Sequence, residues 1–258
     1  MTRRHLTIAC EGATLAATLD PALGSTGLLI VSGGNEVRAG AWSGQALLAA
    51  EIAEAGHPVM RFDRRGAGDS DGPNGGFRTS GPDLAAAIAA FRAHGVKRVV
   101  AFGNCDAASV LMLTGGAGCD GLILSNPWTF DDDAAGEAPP AAVRAHFRQR
   151  LTDPRALLRL LKGKVSPGKL IASLRDALRP TPPPSSLAQE MAAGLARFPG
   201  PATILLAERD RTAQAFLATW DHKDTRLSTC AGASHSYVEA EARSWLREQV
   251  LAALRGAD

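Results

Sequence analysis

The stretch Gly103-Asn104-Cys105-Asp106-Ala107-Ala108-Ser109 follows directly on the run Lys97-Arg98-Val99-Val100-Ala101-Phe102. A β-branched run that stops at Gly-x-Cys-x-small and continues into Val110-Leu111-Met112-Leu113 reads as a strand, a sharp turn and a buried helix. Small residues on either side of the turn let the backbone take a strained conformation, so the central side chain projects above the sheet at a helix N-terminus. Here that side chain is a thiol. Backbone N–H groups and the helix dipole favour the thiolate, its nucleophilic form, which makes Cys105 the candidate nucleophile.

Outward from this turn, strand and helix signals alternate. Residues 5–9 and 14–19 read as a hairpin around Cys10-Glu11-Gly12-Ala13. Leu28-Leu29-Ile30-Val31 is a continuous apolar run of the kind found in strands covered on both faces, and it ends at Ser32-Gly33-Gly34-Asn35. A helix over 42–55, a strand at 57–62, and the turn Asp63-Arg64-Arg65-Gly66-Ala67-Gly68-Asp69-Ser70 come next. That turn lacks the third glycine of a dinucleotide loop and reads as architecture. A helix over 81–94, with Ser80 as its expected cap, leads to the strand at 97–102. After the strand at 121–124, residues 128–200 show four helical stretches, 139–150, 154–162, 167–179 and 185–197, and no strand. Strand signals return at 202–206 and 225–229, separated by a helix at 212–219 and followed by a final helix over 236–255. The pattern predicts an α/β fold with a mostly parallel, doubly wound sheet: residues 1–127 and 201–258 form the core and 128–200 a helical cap.

The totals narrow the function. The chain has 258 residues, 45% of them hydrophobic, with a net charge of +2, which suits one globular domain and does not point to nucleic acid. No apolar run approaches a membrane span and no leader pattern opens the chain, so a cytoplasmic protein is expected. Cys10, Cys105, Cys119 and Cys230 have no Cys-x-x-Cys spacing, so neither a metal site nor a disulfide framework is expected, and no cofactor is implied.

A cysteine nucleophile needs a base, and the base needs an orienting acid. Of the six histidines, His235 alone follows the last strand and precedes the last helix, on the rim where Cys105 is expected. His5, His57, His94, His146 and His222 fall elsewhere. The acid should follow a strand between the two. Asp210, after Leu205-Leu206-Ala207-Glu208-Arg209, is preferred over Glu208 and over Asp131, Asp132 and Asp133. Nucleophile, acid and histidine then run in the chain order of α/β-hydrolases.

These segments, with Val31-Ser32-Gly33-Gly34, Arg61 to Ser70, Ser125-Asn126-Pro127-Trp128 and Asp210-Arg211-Thr212-Ala213-Gln214, resemble the exosortase A system-associated hydrolase 1 family. That family is a branch of the α/β-hydrolases found beside exopolysaccharide and protein-sorting loci in Gram-negative bacteria. The resemblance implies a Cys105, Asp210, His235 triad and an acyl-transfer site, and Asn35-Glu36 stands where the family leads one to expect Pro-Gln. From these roles, Cys105 is expected to attack an ester or thioester. The backbone N–H of Asp106, with that of Asn35 or Gly34, is expected to receive the oxyanion. By analogy with dienelactone hydrolases, Glu36 is a candidate partner for the thiol proton. Acyl transfer to another acceptor, or a non-catalytic binding role on the same fold, are the alternatives.

Residues 144–179 hold ten Lys or Arg against Asp153 and Asp176, a net charge of +8 on a stretch interleaved with leucines. Charge segregated in this way suggests an anionic partner, an acyl carrier protein, a coenzyme A phosphate, an anionic glycan or a membrane surface, so the small-molecule acyl ester or thioester is expected to be anionic or carrier-bound.

Overall fold

The computed structural model describes residues 2–130 and 185–256. The expected helices at 139–150, 154–162 and 167–179, the basic stretch 144–179, His146, and Asp131, Asp132 and Asp133 lie outside the described residues. Elements are numbered below among those described.

Eight strands form one sheet: β1 (Arg4–Cys10), β2 (Ala13–Asp20), β3 (Thr26–Val31), β4 (Val59–Phe62), β5 (Arg98–Asn104), β6 (Gly121–Ser125), β7 (Ala202–Ala207) and β8 (Leu227–Cys230). Their order across the sheet is β1-β2-β4-β3-β5-β6-β7-β8. The hairpin β1–β2 is antiparallel and joins β4 antiparallel, while β4, β3, β5, β6, β7 and β8 pair in parallel. Six helices cover it: α1 (Gly44–Glu54), α2 (Gly81–Ala93), α3 (Asp106–Leu113), α4 (Ser186–Ala196), α5 (Arg211–Thr219) and α6 (Ala240–Gly256).

The continuous apolar runs divide by the period of two that a pleated strand imposes. Leu29, Val31, Val99, Ala101, Leu122, Leu124, Ile204 and Leu206 face one layer, built with α2, α3, α4 and α5. Leu28, Ile30, Val100, Phe102, Ile123, Leu205 and Ala207 face the other, built with α1 and α6. Among the described residues no helix is long and apolar enough to cross a membrane.

Within the range expected to form a cap, α4 packs into the main core. Ser185 caps it, its hydroxyl accepting the Ala188 N–H at 3.0 Å, and Leu187, Met191 and Leu195 are buried. Two expectations shift. Ser80 precedes α2 but donates its hydroxyl to the Gly76 carbonyl at 3.4 Å and makes no cap bond. The last helix starts at Ala240 and not at 236, because Tyr237 takes a left-handed backbone with φ 52° and residues before it form a loop braced by Glu239, which accepts from Ser234 N–H at 3.1 Å.

Packing is tight where β5 turns into α3. A Cβ added to Gly103 would sit 2.6 Å from the Ala107 carbonyl carbon and 2.7 Å from its oxygen, and main-chain atoms of a buried helix cannot yield as a flexible side chain does. Gly103→Ala is therefore expected to lower unfolding free energy by about 1–3 kcal/mol. A denaturant midpoint equal to that of the wild type would contradict it.

Candidate active site

Cys105 sits between β5 and α3 with φ 63° and ψ −128°, a left-handed conformation that a side chain adopts only under constraint. Its N–H donates to the Ser125 carbonyl at 3.0 Å, and its own carbonyl accepts from Ala108 at 3.1 Å, Ser109 at 3.3 Å and Trp128 at 3.3 Å. The turn expected from Gly-x-Cys-x-small is thus formed. Cys105 is half-buried, whereas Cys10, Cys119 and Cys230 are buried. Burial pushes those three thiols upward, that of Cys119 to about 12, so they are poor nucleophiles.

Asp210 ends the segment after β7 and serves as N-cap of α5. One carboxylate oxygen, Oδ2, accepts the Ala213 N–H at 3.1 Å and lies 3.0 Å from His235 Nδ1. His235 lies in the loop between β8 and α6, where Arg209 N–H donates to Ala233 O at 3.0 Å and Gly232 N–H to Glu208 Oε2 at 2.7 Å. Glu208, the competing acid, is therefore occupied in bracing the loop and does not meet the imidazole. Burial works against a charge on His235, but hydrogen bonds to Asp210 and Cys105 and the charges of both outweigh it, and its pKa is pushed up to about 10. The chain positions at 105, 210 and 235 thus converge in one place.

The loop after β3 approaches this turn closely. A Cβ on Gly33 would fall 2.5 Å from Asn104 O and 3.4 Å from Cys105 Cβ, so only glycine permits the approach. Gly34 N–H, one of the expected oxyanion donors, donates instead to Asp106 Oδ1 at 2.6 Å. That expectation is corrected: a short bond to a carboxylate already occupies the donor. Asp106 N–H is in the first turn of α3, where no intrahelical acceptor exists, and Asn35 lies exposed on the loop. Glu36 lines a cleft beside the loop but makes no hydrogen bond to Cys105, so the analogy that gave it the thiol proton finds no contact here.

Three contributors were not singled out from the sequence. Arg64 Nη2 reaches Gly34 O at 2.5 Å and Asp106 Oδ2 at 3.2 Å, tying the turn after β4 to both sides of the site. Asn104 and Asn126 lie behind His235. All three stand at carboxyl ends of parallel strands, the one sequence signal that marks them. Among the described residues no group of three or more His, Cys, Asp or Glu is placed to hold a metal ion.

The cleft, about 610 Å3 of open space, runs between α1 and α6. Trp42, Leu47, Leu48, Phe102 and Leu246 give it apolar walls, and Asn104 and Ser236 bring it beside Cys105 and His235. Trp42 Nε1 donates to Ser236 O at 3.2 Å, and the Arg243 guanidinium lies 5.3 Å from the Trp42 ring centre.

The profile of the alpha/beta hydrolase family matches residues 28–248. A sequence search of curated proteins returns no match. Among solved structures, GrgF of Penicillium sp. sh18, an alpha/beta hydrolase, aligns with TM-score 0.64 at 18% identity over 100% of this chain and 99% of its own. The esterase Pf2001 of Pyrococcus furiosus aligns with TM-score 0.63 at 13% identity, over 99% and 91%. Est1E of Butyrivibrio proteoclasticus, solved with ferulic acid, aligns with TM-score 0.60 at 17% identity, over 97% and 99%. At these identities the structures attest the fold, and the family profile, spanning the sheet from β3 through most of α6, shows that this chain belongs to the alpha/beta hydrolase family.

Proposed function

We propose that this hydrolase cleaves an ester or thioester through an acyl-cysteine, with Cys105 as nucleophile, His235 as proton carrier and Asp210 as the group that orients it. The single observation that carries this reading is the contact of His235 Nδ1 with Asp210 Oδ2 at 3.0 Å, beside the left-handed turn that carries Cys105. In the first half-reaction His235 holds the thiol proton as an imidazolium, the Cys105 thiolate Sγ bonds to the carbonyl carbon, and the carbonyl π pair moves to oxygen. Asp106 N–H and Asn35 N–H receive that oxyanion. Collapse breaks the bond to the leaving group, which takes the proton from His235. Water repeats the cycle on the acyl-cysteine, losing a proton to His235, and releases a carboxylic acid and the thiol.

The cleft between α1 and α6 fits an apolar acyl or alcohol group, since its walls are Trp42, Leu48, Phe102 and Leu246. Small-molecule esters are thus the substrate class. The Cys-Asp-Ala-Ala-Ser turn supports a finer placement beside the exosortase A system-associated hydrolases. The basic stretch at 144–179 supports an anionic or carrier-bound acyl donor, and the part of 128–200 that precedes α4 is proposed as a cap over the core.

Intact-protein mass spectrometry after brief exposure to short and long acyl esters and thioesters tests the chemistry. The wild type is expected to gain the acyl mass, Cys105→Ala to gain none, and His235→Ala to acylate about 100-fold to 10,000-fold more slowly. Equal acylation of Cys105→Ala would overturn the assignment of the nucleophile.

The charge on His235 makes a separate prediction. A histidine whose pKa is raised on folding holds its proton more tightly in the folded chain, so it stabilises the fold while protonated. That contribution is complete below the ordinary value of about 6.5 and disappears as pH rises through about 10. Asp210→Asn keeps an oxygen for Ala213 N–H and removes the charge. The wild type is expected to melt above Asp210→Asn at pH 6, with the gap closing by pH 10.5; a gap independent of pH would contradict the ion pair.

A further inference from the structure

Asn126, just past β6, is fully buried and has φ 45°, a left-handed conformation that asparagine tolerates better than most residues. Its Oδ1 accepts the Ala207 N–H at 2.8 Å. A backbone N–H only donates, so this bond fixes which end of the Asn126 amide is oxygen and turns Nδ2 the other way. That Nδ2 donates to Asn104 Oδ1 at 2.9 Å and to the His235 carbonyl at 3.3 Å. Asn104 is oriented in turn. Its oxygen is taken, and its Nδ2 faces His235, 3.4 Å from the carbonyl oxygen and 3.3 Å from ring Nε2. Reversing either amide would set two donors against each other.

A ring nitrogen that faces an amide N–H is an acceptor, so in the neutral ring Nε2 carries the lone pair and Nδ1, against Asp210, carries the proton. We propose that Asn126, acting through Asn104, is a positioning relay that makes Nδ1 the nitrogen that keeps its proton when His235 is neutral and Nε2 the one that exchanges a proton. The proposal rests on the reading of His235 as proton carrier for Cys105. Asp210 and Cys105, the titratable groups against the ring, favour the imidazolium. Asn104 resists it, because a protonated Nε2 would point a hydrogen at hydrogens. On the remaining sides, Glu208 and Glu239 are bonded to Gly232 and Ser234, Arg209 pairs with Glu239, Arg243 lies over Trp42, and Tyr237, whose phenol burial holds well above its ordinary range, is bonded to Ser125. The relay starts at a main-chain N–H of β7, so the sheet itself sets the tautomer of a side chain on the loop after β8.

The test is an imidazole nitrogen NMR titration of His235 in the wild type, Asn104→Leu and Asn126→Asp, with the signal assigned by its loss in His235→Gln and ester turnover followed across the same pH range. Asn104→Leu removes the donor at similar volume. Asn126→Asp keeps an acceptor for Ala207 but offers an oxygen to Asn104, turning the Asn104 oxygen toward His235. The wild-type neutral ring is expected to carry its proton on Nδ1. In Asn104→Leu, and in Asn126→Asp when it folds, the His235 midpoint is expected to rise by about one pH unit, the worth of one hydrogen bond, with the acidic limb of kcat rising alongside. A midpoint unmoved in folded Asn104→Leu, or a neutral ring protonated on Nε2, overturns the relay. A shifted midpoint in a chain that turns over no ester upholds the relay and removes the acyl-transfer reading instead.

Discussion

The backbone at Cys105 is the constraint around which the site is arranged. A residue other than glycine with φ 63° and ψ −128° carries strain on the order of 1–3 kcal/mol, and it persists only where neighbours over-determine it. Here Gly103 lets β5 touch α3, Ser125 O holds the Cys105 N–H, and the Cys105 carbonyl accepts three N–H groups, one of them from Trp128 beyond β6. Ser109 adds a tie from α3, its hydroxyl donating to Trp128 O at 2.7 Å. The same bonds that hold the strain also fix the segment after β6, and with it Asn126.

A second anchor holds the loops around this turn. Asp63 is completely buried at the end of β4, accepts Arg38 N–H at 2.5 Å and Asp69 N–H at 3.0 Å, and pairs with the Arg38 guanidinium. A buried carboxylate is tolerable only when so many donors converge on it. The loop after β3 and the glycine-rich turn after β4 are therefore joined through one side chain, and Arg64, next in the chain, extends that joint to Gly34 and Asp106. The turn read from sequence as architecture is architecture, and what it supports is the site.

The parallel strand–helix succession, the two apolar layers and the turn at Cys105 were legible because continuous apolar runs, glycine placement and helix periodicity are local signals. The positions proposed as nucleophile, acid and histidine could be singled out because each follows a strand and chain order restricts which strand. Hydrogen-bond occupancy was not. Nothing in Ser32-Gly33-Gly34-Asn35 shows that Asp106 captures the Gly34 N–H, since the two residues lie far apart in sequence. Glu208 competes with Asp210 on the page of letters, and their partners, Gly232 N–H for one and His235 Nδ1 for the other, separate them. The late start of α6 was hidden because Ser236 to Glu239 satisfy helix composition while the left-handed Tyr237 interrupts it.

Asp106 raises an electrostatic question that the structure answers. A carboxylate directly after Cys105, the proposed nucleophile, stands where negative charge would develop on substrate, and an unpaired one would oppose the reaction. Arg64 pairs with it at 3.2 Å, both side chains are largely buried, and the pair presents little net field to the site. Asp210 and the imidazole balance in the same way when His235 is protonated. Between the two pairs lie neutral amides, Asn104 and Asn126. Proton transfer from Cys105 to His235 with attack on a carbonyl therefore leaves the net charge of the site unchanged: the new cation faces Asp210 and the new oxyanion faces main-chain N–H groups. Each charge that the proposed reaction creates meets a fixed partner already in position, and the strain at Cys105 keeps the thiol between them.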